Sequence, residues 1–143
     1  MTAVACAETR PRLDVSAKEA ATRRELRVVE LLLAHAPLVL GWFILARLAT
    51  PREDRRGIDV VVMTRDLGEI HLQVKSSLTG VVEYATRALE LGDELRMRAG
   101  IVIVKDWYRD DEVWRSVLIA LEGARDRRER PPWKPGRTDG RRE

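Results

Sequence analysis

With 143 residues, 45% of them hydrophobic and 34% charged, the chain is long enough for one hydrophobic core but not for two. No apolar run reaches ~18 residues without a charge, so no membrane-spanning helix is expected, and the single cysteine, Cys6, excludes an internal disulfide framework. The net charge of +3 is uneven, because residues 124–143 hold eight basic against four acidic side chains, a net of +4, leaving 18 basic against 19 acidic in the remainder.

Ala3-Val4-Ala5-Cys6 has neither the charged region nor the hydrophobic stretch of a secretory signal, so residues 1–15 are expected to be a disordered terminus of an intracellular, cytoplasmic protein. Residues 16–36 are predicted to be the first helix. Ser16 followed by Glu19 has capping-box spacing, and Leu26, Val29, Leu32 or Leu33, and Ala36 recur at helical intervals. Pro37 is the expected stop. The β-branched and aromatic run within residues 38–48 predicts a strand, and Pro51–Arg56 reads as a charged loop. Its Arg52, Arg55 and Arg56 are placed either for phosphate contacts or simply for solvation.

Residues 57–77 follow as two apolar strands joined by a turn at Asp66 to Gly68. The first, Ile58 to Met63, is apolar on both faces, as a central buried strand is. In the second, Ile70, Leu72 and Val74 alternate with His71, Gln73 and Lys75, so the polar residues share one face. A turn centred near Leu67 would place Asp59 opposite Lys75 and Val61 opposite Gln73, gathering a carboxylate, an amide and an ammonium at one end of the hairpin. Ser76 and Ser77 then either donate to phosphate or begin the next helix. In that helix Val81 or Val82, Ala85, Leu89 and Leu95 form the expected inward face, with Gly92 weakening its middle. Gly100 to Lys105 is a short apolar strand. A last helix, capped by Asp110 or Asp111, turns Val113, Val117 or Leu118, and Leu121 inward and is expected to stop at Gly123. Residues 124–143, basic and rich in proline, are expected to form a disordered tail that can add phosphate contacts.

The predicted order is thus α-β-β-β-α-β-α over one domain, residues 16–123, an α/β chain with a mixed central sheet and helices on both faces. The N-terminal helix with its glutamate, Gly57-Ile58-Asp59 and Gln73-Val74-Lys75-Ser76-Ser77 together resemble the PD-(D/E)xK nuclease superfamily, in particular its Holliday-junction-resolvase-like and Mrr-like branches. The resemblance implies a restriction-endonuclease-like three-layer fold. It also implies a Mg2+- or Mn2+-dependent endonuclease acting on DNA, working as a homodimer. Asp59 matches the metal-binding aspartate and Lys75 the lysine that orients the attacking water. The main-chain carbonyl of Val74 is a further implied ligand, and Arg52, Arg55, Arg56, Ser76 and Ser77 are candidates for DNA contact. Gln73 departs from the usual Asp or Glu, although Mrr-like members also carry Gln there, and a neutral amide oxygen is a poorer Mg2+ ligand than a carboxylate. The helix glutamate is Glu25 or, alternatively, Glu30. Glu25 is preferred because apolar residues stand three, four, six and seven positions after it. The substitution at Gln73 motivates a second expectation, a nuclease-fold module without efficient chemistry that acts in DNA binding or protein interaction.

Overall fold

Val28, Val29, Leu31, Leu32 and Ala36 lie on one side of a helix, and in the computed structural model they are the buried stripe of α1 (Thr2–Val39). The structure describes residues 2–129, with side chains from residue 16 onward. Leu26 and Leu33, expected to point inward, are 43% and 50% exposed, so the stripe is rotated from the expected one. Pro37 does not stop the helix. It sits in the last turn, and the chain leaves only after the Leu40 N–H donates to the Ala36 carbonyl at 2.8 Å.

Because α1 takes up residues 38 and 39, strand β1 is confined to Phe43–Leu48. Pro51–Arg55 is a short helix, α2, where a loop was expected. Thr50 is its N-cap, Pro51 supplies a preset φ in the first turn, and the Thr50–Glu53 capping box is formed in both directions. Strands β2 (Val60–Thr64) and β3 (Gly68–Lys75) make the hairpin. Helix α3 (Leu78–Leu91), α4 (Glu94–Arg98), β4 (Gly100–Ile103) and α5 (Asp110–Glu129) complete the described chain. The seven predicted elements therefore occur in the predicted order, with α2 and α4 added. Gly92 divides what was expected as one helix: at φ +61° it is the left-handed C-cap of α3, and Asp93 immediately caps α4. Conversely, α5 runs through Gly123 to Glu129, and Ala124 is buried in the core. Of the region expected to be a tail, residues 130–143 lie outside the described part.

The sheet order is β1-β2-β3-β4, antiparallel for the first two pairings and parallel for β3 with β4. The hairpin register differs from the expected one by two residues. Thr64 pairs with Gly68, Val62 with Ile70 and Val60 with Leu72, so the turn is centred on Asp66. Continued one step, this register sets Asp59 across from Gln73 rather than Lys75, and a two-residue shift leaves each side chain on its expected face. The turn is held by Thr64, whose hydroxyl donates to the Gly68 carbonyl at 2.8 Å and accepts from the Leu67 N–H at 3.0 Å.

Helices α1 and α5 cover one sheet face, where Val60, Val62, Ile70, Leu72, Val74 and Val102 meet Val28, Leu32, Val113, Val117 and Leu121. Helices α3 and α4 lie against the other face, near Ile101. The inward face of α3 is not the expected one. Val82 and Leu89 are 56% and 70% exposed, and the buried residues are Tyr84 and Ala88. Among the described residues no helix is long and apolar enough to cross a membrane.

Candidate metal centre

Ile58, Val60, Val61 and Val62 bury β2 and carry Asp59 inside with them, 6% exposed. Three hydrogen bonds to main-chain groups, one of them made by its side chain, fix this aspartate. Its N–H donates to the Leu72 carbonyl at 3.0 Å, its carbonyl accepts from the Ala49 N–H at 2.9 Å, and its Oδ2 accepts from the Val74 N–H at 2.8 Å. Between them, these bonds tie Asp59 to β3 and to the segment that follows β1.

Two more carboxylates converge on it. Glu25 of α1, Asp54 of α2 and Asp59 each place one oxygen such that all three lie within 4.8 Å of one another, and the three could hold a metal ion. Glu25 is delivered by the stripe that anchors α1, since Val28, Val29, Leu31 and Leu32, the four positions counted from it, are all buried. Glu30 is exposed and outside the cluster. Asp54 was absent from the sequence reading, which took its segment for a loop. The signal that could have found it is Thr50-Pro51-Arg52-Glu53, a capping box with proline at the first helical position directly after a strand. Helix α2 is itself clamped to β1: Arg47 donates to both Glu53 oxygens, at 2.7 and 3.1 Å, and holds that carboxyl down at about 2.

The electrostatics are those of buried carboxylates crowded together. Burial, followed by the Asp59 and Asp54 carboxylates, pushes the Glu25 carboxyl up to about 7. Burial likewise raises Asp59 to about 6, with Asp54 adding to the rise, while the Val74 N–H and the Lys75 charge oppose it. Like-charged oxygens this close repel unless a proton or a cation lies among them. Gln73 is 7% exposed, and its Oε1 is buried without a hydrogen-bond partner. An orphaned buried carbonyl oxygen across the ladder from Asp59 fits a fourth hard-oxygen donor. Val74 joins the site through its N–H.

Lys75 is partly buried, with its ammonium 5.3 Å from the centre of the Tyr84 ring, and its charge acts on Asp59. No family model, curated protein or solved structure matches the chain. The remaining predicted residues divide. Arg52, Arg55 and Arg56 are exposed on or beside α2 and have no ion pair among the described residues. Ser77 is occupied as the N-cap of α3, its Oγ accepting from the Gly80 N–H at 3.1 Å, while Ser76 is exposed. His71, on the strand face of Gln73 and Lys75, pairs instead with Glu69 at 3.3 Å.

Proposed function

We propose that this protein is a Mg2+-dependent endonuclease of the restriction-endonuclease-like fold, hydrolysing DNA phosphodiester bonds at Glu25, Asp54, Asp59, Gln73 and Lys75. The observation that carries the reading is the meeting of three carboxylates from three separate elements at the aspartate of the Gly57-Ile58-Asp59 motif. Lys75 is close enough for its charge to act on that aspartate. Glu25, Asp54, Asp59 and the Gln73 amide oxygen would hold the ion, a set of hard oxygens of the kind Mg2+ accepts. When bound, Mg2+ supplies charge at the scissile phosphate and acidifies water.

The chain's own groups do the rest. Asp59 is rigid, so its carboxylate need not reorganise during the reaction. Lys75, beside it, offsets charge developing on the phosphate. The exposed arginines of α2 stand on the same short element as Asp54, where they can seat the DNA backbone and orient it toward the carboxylates. Gln73 had motivated the alternative of a module without chemistry. Asp54 weakens that motive, because it contributes a carboxylate where position 73 lacks one.

The test is a cleavage panel of four-way junction, nicked, duplex and single-stranded DNA with Mg2+ or Mn2+. The wild type is expected to cut at least one form, and Lys75→Ala to bind that form without cutting it. Metal-dependent cleavage that survives both Asp59→Ala and Lys75→Ala would refute the assignment.

A further inference from the structure

Helix α3 packs in an unusual way. Leu78, Val82, Leu89 and Leu91 are all more than half exposed, and the helix buries only Tyr84 and Ala88, neither of which belongs to the core cluster under α1 and α5. The one large side chain it buries is Tyr84, 6% exposed. That side chain lies against the catalytic motif. Its hydroxyl donates to the Gly57 carbonyl at 3.0 Å, two residues before Asp59, and the Lys75 ammonium stands 5.3 Å from its ring centre. Arg96 of α4 sits 5.7 Å from the same ring, and it presses on Gly57 so closely that a Cβ there would be 2.9 Å from its Nε. Burial pushes the Tyr84 hydroxyl up to about 12, so it remains a donor near neutral pH.

We propose that Tyr84 is a positioning residue of the nuclease site: its ring holds the Lys75 ammonium, and its hydroxyl holds the segment from Gly57 to Asp59. This rests on the nuclease reading above. A lysine has four flexible side-chain bonds, and an aromatic face attracts its ammonium electrostatically. Tyr84 thereby narrows the positions open to the charge, and the same side chain tethers the strand that carries the metal-binding aspartate. One group on α3 thus sets the spacing between Lys75 and the carboxylates. A tyrosine serving only to anchor α3 would still need a partner for its buried hydroxyl, but not a lysine ammonium over its ring.

The test has two parts. In cleavage kinetics at saturating metal, Tyr84→Leu is expected to lower kcat about tenfold with KM unchanged, and Tyr84→Phe, which keeps the ring, to recover most of the loss while requiring more Mg2+. Fluorinated phenylalanines at position 84 keep the shape but weaken the ring's attraction for cations, so kcat should fall with each added fluorine even if Tyr84→Leu does not fold. In NMR spectra of the metal-free protein, the Lys75 side-chain methylene protons should be shifted upfield by the ring in the wild type and in Tyr84→Phe. A kcat that stays flat across the fluorinated series, or Lys75 signals at random-coil positions in the wild type, overturns the role of Tyr84 while leaving the nuclease reading intact. A wild-type protein that cuts no DNA form overturns the nuclease reading, and this role with it.

Discussion

Asp59 is buried and tied to its neighbours through its N–H, its carbonyl and one side-chain oxygen, whereas Asp54 is exposed on a short helix. The two should therefore respond differently to substitution. Asp54→Asn removes a charged ligand at the surface and is expected to raise the Mg2+ or Mn2+ concentration needed for half-maximal cleavage about tenfold or more, with the thermal midpoint of the metal-free protein unchanged or higher. A metal titration of cleavage, paired with a melting curve, checks it. The pH dependence follows from the same crowding. Glu25 and Asp59 are raised to about 7 and about 6, above their unfolded values of 4.5 and 3.8. Between those limits the unfolded chain has released protons that the native state still holds, so native stability falls as pH rises from about 4 to 7 and levels off above. A divalent ion held by the cluster would take the place of those protons. Melting temperatures in chelator should drop across this window, and the gain on adding Mn2+ should widen as pH rises. A gain independent of pH would contradict the clustered carboxylates.

At the scale of elements, α2 carries one of the three carboxylates of the candidate metal centre yet buries no residue. It is held by its capping box and by the Arg47–Glu53 pair. Glu53→Ala removes the pair and the carboxylate half of the box, while the backbone N–H of residue 53 can still donate to the Thr50 hydroxyl; because the pair is partly exposed, the global cost should stay below ~1.5 kcal/mol. The local effect should be larger: faster amide exchange in α2 and weaker metal binding through a misplaced Asp54. Helix α1 offers the contrast. Leu32→Ala empties a fully buried position and should cost ~2–5 kcal/mol, whereas Leu26→Ala, at a position 43% exposed, should stay within ~0.5 kcal/mol in denaturant unfolding.

For the whole molecule, the order of elements was legible because apolar residues recur at helical or strand intervals along α1, β2, β3, β4 and α5. Glu25 could be preferred over Glu30 because the four positions counted from it are all apolar and buried, whereas of those counted from Glu30 only Ala36 is buried. Among the features that were not legible, three bear on the site, each for a physical reason. Register was offset by two because nothing local indicated that the turn centres on Asp66, and the alternation of polar residues survives such a shift. The inward face of α3 was misjudged because its apolar residues are mostly exposed while a tyrosine is buried beside the motif. Asp54 was missed because a five-residue helix has no period to read; only its cap marks it. What joins these elements is the carboxylate cluster, since Glu25, Asp54 and Asp59 come from three separate elements and could hold one ion between them. The most direct measurement is calorimetric titration of the intact protein with Mn2+ at pH 6.5 in buffers of different ionisation enthalpy. The expected result is a single site that releases protons on binding, is lost in Asp59→Asn, is weakened in Glu25→Gln and Asp54→Asn, and is unaffected in Glu30→Gln. Absence of binding at millimolar Mn2+, or equal affinity in the wild type and Asp59→Asn, would contradict it.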